Sequence, residues 1–267
     1  MSERMTTNHR AALIELLLQL GDDDFIYAFR GAEWLGLAPH IEEDVASASI
    51  SQNSMGHAVM FYELAEELGL PEANELAHAR PAAERRNSIL LERVNGEGSY
   101  MGTPTYDWAY AVVRNLMYTI AKKVKMESLR TSSYEPLNDV AIKVLMELHY
   151  HLMHWKAWFI ELFNATDEAR LKMESAVGAV MADFGDMLEY GEKEEEIVAA
   201  KLIHSSKTVK ERFLLELEAI LSKVNQDMSL FSYSLKQNGR NGEHTADLNQ
   251  ALATLAEVYQ VDPAANW

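Results

Sequence analysis

The placement of chain breakers constrains this sequence more than any other feature. Only 6 prolines and 13 glycines interrupt 267 residues, and proline stops a helix because it lacks a backbone N–H and clashes with the preceding turn. Between the breaks the chain is rich in Ala, Leu, Met and Glu, whose side chains lose little freedom in a helix. The breaks predict a first long helix from Thr7 to Gly36, closed by Leu37-Ala38-Pro39, and a second from Ile41 to Leu68, closed by Gly69-Leu70-Pro71. An interrupted stretch follows, with Pro81, a short helical piece over 83–94 and the turn signal Asn95-Gly96-Glu97-Gly98. Long helices then return over 105–129 and 137–163, separated by Thr131 to Pro136. Asn164 to Asp167 offers an N-cap, and further helices are expected over 168–188, 192–204, 209–231 and 245–259.

Two long helices, a long crossover and two more long helices form the chain plan of a ferritin-like four-helix bundle. The expectation is an all-α fold, a single domain over 1–267, with extra C-terminal helices spread over 168–260. The absence of cysteine excludes disulfides, thiolate metal sites and a cysteine nucleophile. A formal charge of −17, from 24 Lys and Arg against 41 Asp and Glu, excludes a phosphate-wrapping nucleic-acid binder, because such affinity comes from cationic side chains. The sequence contains no long uncharged apolar run, so no membrane span is expected, and the opening residues carry no signal-peptide pattern. A cytoplasmic location is the expectation.

Stepping by three or four along each long helix gives one apolar row with a polar interruption near its middle. Helix two reads Ala46, Ile50, Ser54, His57, Phe61, Leu64, Leu68, and helix four reads Val144, Leu148, His151, Trp155, Trp158, Leu162. Helix three reads Trp108, Val112, Asn115, Thr119, while on helix one Glu33 shares a face with Ile26 and Leu37. Polar groups buried at one level of a bundle must bond to one another, to water or to metal. The metal version of such a belt is the di-iron carboxylate bundle, in which two helices each give a Glu and the other two each give Glu-x-x-His. Here His57 and His151 stand at the histidine positions, but Ser54 and Leu148 replace the carboxylates three residues earlier, and helix three offers Asn115 or Thr119.

Charge disfavours two metals. Two divalent ions beside one glutamate would leave about three uncompensated charges in a low-dielectric core, at several kcal/mol per ion. Two readings remain. One is a mononuclear non-haem metal site built from Glu33, His57 and His151. The other is a hydrogen-bond network of those three groups with Ser54, Asn115 and Thr119. Glu147, four residues before His151, lies one position off the core row and reads as half of an exposed pair. Lys122, Lys123 and Lys125 read as cations placed to favour a helix C-terminus.

The residues resemble a known family. Its carriers are Leu20-Gly21-Asp22, Glu33-Trp34-Leu35-Gly36 with Ala38-Pro39, Ile50 to Ala58, Glu147 to Leu152 with Trp158, and Gly239-Arg240-Asn241-Gly242-Glu243-His244-Thr245 followed by Leu248, Leu252, Glu257, Pro263 and Trp267. In this order they are similar to the ferritin-like subunits of ring-1,2-phenylacetyl-CoA epoxidase, the multicomponent oxygenase of phenylacetate degradation. The resemblance implies a catalytic A-type subunit that carries di-iron and binds the CoA thioester, and a C-type subunit that has lost ligands and supports it in a heteromeric core. The losses at Ser54 and Leu148 make this chain similar to the structural C-type subunit. Glu33, Ser54, His57, Asn115, Thr119, Leu148 and His151 are then remnant ligand positions with no catalytic role. No cofactor is expected in this subunit, with di-iron in an A-type partner, and the chain alone as a homodimer is the alternative assembly. The excess of aromatics at Trp108, Tyr110, Tyr118, Trp155 and Phe159 points to a subunit interface. The surplus of acid speaks against autonomous binding of an anionic CoA thioester.

Overall fold

The computed structural model describes residues 6–265; Trp267, one carrier of the resemblance, lies outside them. The fold is an all-α, ferritin-like bundle. Helices α1 (Thr7–Ala32) and α2 (Ile41–Glu67) pack along each other, as do α5 (Trp108–Leu129) and α6 (Glu135–Ala165), and α2 meets α6 to close the core. The crossover holds α3 (Ala73–His78), α4 (Ile89–Glu92) and a two-residue antiparallel ladder in which β1 (Gly96–Glu97) pairs with β2 (Thr105–Tyr106). Helices α7 (Asp167–Asp183) and α9 (Ser206–Leu221) cover the far side of α5, and α8 (Glu194–Ala199) and α10 (Ala246–Ala256) complete the described chain.

Several ends differ from the sequence expectation for local reasons. Helix α1 stops at Ala32, because Glu33 caps it and the chain turns through Gly36 at φ +79°, in the left-handed region glycine tolerates. Helix α5 starts at Trp108 rather than 105, since Thr105 and Tyr106 pair with the crossover and Asp107 caps the helix by accepting from Tyr110 N at 3.2 Å. The expected cap before α7 is Thr166, whose hydroxyl accepts from Ala169 N. Helix α9 ends ten residues early at Leu221, and the chain then breaks at Asn225 with φ 52°.

Because α5 is flanked by α6, α7 and α9 and faces the bundle interior, its charged residues Arg114, Lys122 and Lys125 are buried, while Lys123 and Glu127 stay partly exposed. The cluster Lys122 to Lys125 therefore does not decorate a helix end; α5 runs on to Leu129. Likewise Tyr118, Trp155 and Phe159 are core residues, which corrects their reading as interface aromatics.

The polar framework centres on Asp22, Asp23 and Asp24, three consecutive buried carboxylates on α1. Asp22 accepts from Tyr62 Oη at 2.6 Å, from Arg86 N at 2.8 Å, and from Arg80 and Arg85. Burial pushes the Asp22 carboxyl up, but the two guanidinium groups outweigh it and hold it below its ordinary range. Asp23 receives a two-pronged bond from Arg240, Nη1 and Nη2 each at 2.8 Å, and a third from Ser88 N. Arg240 belongs to the Gly239–Thr245 motif, which is also tied down by His244 on Glu92 at 2.8 Å, Thr245 N on Glu92 at 2.6 Å and Gly239 N on Asp186 at 2.8 Å. A Cβ at Gly239 would lie 2.0 Å from Asn87 O, so only glycine lets the motif reach the crossover. The C-terminal segment thus clamps the crossover onto the middle of α1.

Replacing Arg240 by Ala leaves Asp23 buried without its main cation, and should cost about 3–5 kcal/mol of stability in chemical denaturation. Arg240→Lys should recover only part of this, because an ammonium cannot reproduce the two-pronged contact.

Candidate functional site: a lysine-centred polar belt

The structure brings two of the sequence-predicted residues together. His57 on α2 and His151 on α6 are both buried, with ring centroids 6.3 Å apart. Between the helices, Lys122 Nζ on α5 lies 2.7 Å from His57 Nδ1 and 2.5 Å from Asp24 Oδ1 on α1. The Asp24 carboxylate also accepts from Tyr118 Oη at 2.8 Å. On its other side His57 Nε2 lies 2.9 Å from Glu147 Oε2. One tautomer satisfies both contacts: Nδ1 accepts from Lys122 and Nε2–H donates to Glu147. His151 Nε2 accepts from Asn53 Nδ2 at 3.3 Å.

The remaining predicted residues do not join this network. Glu33 caps α1, nine residues beyond Asp24, about 13 Å further along the axis. It receives Arg30 Nη1 at 3.1 Å on both oxygens and Asn95 Nδ2 at 2.9 Å, and serves to hold the crossover. Ser54 Oγ and Asn115 Oδ1 are buried without partners, and Thr119 Oγ1 donates to the Asn115 carbonyl at 2.7 Å. Leu148 is simply core. The expected network of Glu33, His57, His151, Ser54, Asn115 and Thr119 is therefore replaced by one built on Asp24, Lys122, His57 and Glu147. Glu147 pairs across helices with His57 rather than along α6 with His151.

Sequence reasoning missed Asp24 and Lys122, although a signal existed for each. Lys122 continues the helix-three row Val112, Asn115, Thr119 by one more step of three. Asp24 continues the buried row Leu13, Leu17, Leu20 by a step of four.

Electrostatics follow from this placement. Burial pushes Asp24 up and Lys122 down, and each resists by offering the other its opposite charge. Burial, then the charge of Lys122, drives His57 far below its ordinary value. The same two causes, with His154 third, push His151 down to about 3. The belt is an ammonium–carboxylate pair flanked by two neutral imidazoles.

A metal ion does not fit this donor set. Both nitrogens of His57 are engaged, Asp24 Oδ1 carries Lys122 and Tyr118, and the interior positive charge is already supplied by Lys122. Among the described residues no three His, Asp or Glu side chains are grouped so as to hold one ion. Nor does any helix among them have the length and apolarity to cross a membrane.

The family model for phenylacetic acid catabolic proteins matches residues 1–267. The chain belongs to that family. Among curated proteins it is 25% identical over 251 residues to the C subunit of the 1,2-phenylacetyl-CoA epoxidase of Escherichia coli (strain K12), an alignment covering 94% of this chain and 97% of the relative.

In this member of the phenylacetic acid catabolic family the buried neutral histidines set a pH dependence. Below about 6.5 an unfolded chain takes up protons that folded His57 and His151 refuse, so stability should fall as pH drops from about 6.5 toward about 3. Each histidine contributes up to about 1.4 kcal/mol per pH unit. Urea denaturation at a series of pH values should show this slope, and His151→Gln should reduce it; an unchanged slope would show that His151 is not held neutral.

Proposed function

We propose that this chain is a non-catalytic structural subunit of a phenylacetyl-CoA-type epoxidase, binding no metal itself and supporting a di-iron A-type catalytic subunit. The observation that carries the reading is Lys122: its ammonium stands inside the belt between Asp24 and His57, supplying from the protein the cation that a catalytic bundle takes as metal. A group so placed keeps the four helices in register while leaving no open coordination position for oxygen chemistry.

The surface supports a subunit role. On α6 the residues Ile142, Met146, Tyr150 and Met153 follow steps of four, four and three, and are between 48% and 65% exposed. Such a continuous apolar stripe on an outer helix face suits a partner helix. It lies on the same helix as Trp155 and Phe159, two of the five expected aromatics, but on the opposite face, since those two side chains are buried. The independent mononuclear enzyme finds less support, because Glu33 is committed to Arg30 and Asn95.

Co-expression with an A-type chain that retains both Glu-x-x-His motifs tests the proposal. The two should co-elute on size exclusion, and the complex, supplied with dioxygen and an electron donor, should epoxidise phenylacetyl-CoA. The double variant Met146→Glu, Tyr150→Glu should elute alone with unchanged helical content. Failure of the native chain to co-elute would instead favour a self-sufficient homodimer.

A further inference from the structure

Four of the chain's five tryptophans, Trp34, Trp108, Trp155 and Trp158, form one cluster across the end of the bundle. Three of them form a line. Trp158 on α6 meets Trp108 edge-on at 5.6 Å between ring centroids, Trp108 meets Trp34 at 5.1 Å, and Trp34 meets Tyr106 at 5.5 Å. Every link is edge-to-face and close to van der Waals contact.

The two ends of the line open on different surfaces. Trp158 is half-buried beside Ala157, which continues the exposed α6 stripe from Met153 by another step of four. Tyr106 lines a cavity of about 330 Å³ together with Phe29, Tyr100 and Glu33. The charge of Glu33 reaches its phenol.

The bonding of the indoles is unusual for a packed core. A buried Trp N–H ordinarily finds an acceptor, yet Trp108 Nε1 has none, nor does that of Trp155, while Trp34 Nε1 donates to Asn95 Oδ1 at 2.9 Å. An indole that loses an electron becomes a strong acid at Nε1. Where no base adjoins that nitrogen the radical cation keeps its proton, remains strongly oxidising and takes an electron from the next ring. A phenol behaves oppositely, because its oxidation is completed by release of a proton, and the cavity that Tyr106 lines gives that proton a way to water.

We propose that Trp158, Trp108, Trp34 and Tyr106 form an electron relay that carries oxidising equivalents from the α6 face to the Tyr106 cavity. Trp158 gives one electron to a one-electron oxidant at the α6 face. Trp108 refills Trp158, Trp34 refills Trp108, and Tyr106 refills Trp34. Tyr106 loses its phenolic proton to water in the cavity in the same step, leaving a neutral phenoxyl radical. A small soluble reductant of the ascorbate or thiol class, entering the cavity, restores the phenol by returning one electron, and a proton follows. The oxidant is of the class that an oxygenase forms when activated oxygen is not consumed by substrate. Only that assignment rests on the epoxidase-subunit reading; the relay itself is a property of this chain.

Because the chain has no cysteine, an Ala157→Cys substitution gives a unique attachment point for a ruthenium polypyridyl photosensitiser next to Trp158. Tyr150 lies two turns from the label and is replaced by Phe to remove a competing phenol. Flash oxidation of the isolated full chain should produce an indole radical that converts to a tyrosyl radical, followed by transient absorption and electron paramagnetic resonance. Tyr106→Phe should abolish the tyrosyl signal and prolong the indole signal. Trp108→Phe, and separately Trp34→Phe, should reduce the tyrosyl signal to background while leaving an indole signal at Trp158. A tyrosyl signal that survives both tryptophan substitutions, or that never forms in the labelled parent, would overturn the relay. Since no partner is present, its failure would leave the scaffold reading to its own co-elution test.

Discussion

Three adjacent carboxylates on one buried helix stretch are the constraint around which this protein is organised. Asp22, Asp23 and Asp24 repel one another, and each is taken out of water, so the fold survives only if cations come to them from elsewhere in the chain. Successive positions on a helix point about 100° apart, and the cations therefore arrive from different directions. Arg80 and Arg85 come from the crossover, Arg240 from the C-terminal motif and Lys122 from α5. Breaking such a pair from one side leaves an uncompensated buried charge, which is far more costly than replacing the whole pair by apolar groups. The bundle, the crossover and the C-terminal segment are thereby coupled through one helix turn.

The same constraint decides what the belt can do. In a catalytic bundle the carboxylates outnumber the internal cations until metal arrives. Here the belt supplies its own cation, and the two histidines are held neutral next to it by burial and by its charge. A lysine in this position is compatible with retaining the histidines, since a neutral imidazole accepts its proton donor through Nδ1 and still has Nε2–H for Glu147. Of the ligand-like residues, His57 is a member of this network and His151 lies beside it, bonded to Asn53.

Much of the fold was legible in the sequence, because helix length, breakers and apolar periodicity are local properties. The histidines were legible too, since His57 and His151 interrupt rows that are otherwise apolar. What escaped were groups whose meaning depends on the third dimension. Lys122 reads as a helix-end cation until its ammonium is seen inside the bundle between Asp24 and His57. Asp24 is hidden in a run of three acids, although it extends the buried row of Leu13, Leu17 and Leu20. Glu33 matched a motif position, but the turn at Gly36 ends α1 early and Glu33 goes to the crossover instead. Lys122 and Asp24 do continue helical rows, but a charge on such a row does not name its partner, and here each partner comes from a distant segment of the chain.

The central claim is that Lys122 makes the interior cation a permanent part of the polypeptide, and metal analysis tests it most directly. The isolated chain would be loaded anaerobically with excess ferrous iron, desalted and assayed for iron per chain. The account predicts far less than one retained iron per chain. One tightly bound iron per chain would contradict it, because Lys122 would then have to leave Asp24 and His57 to make room.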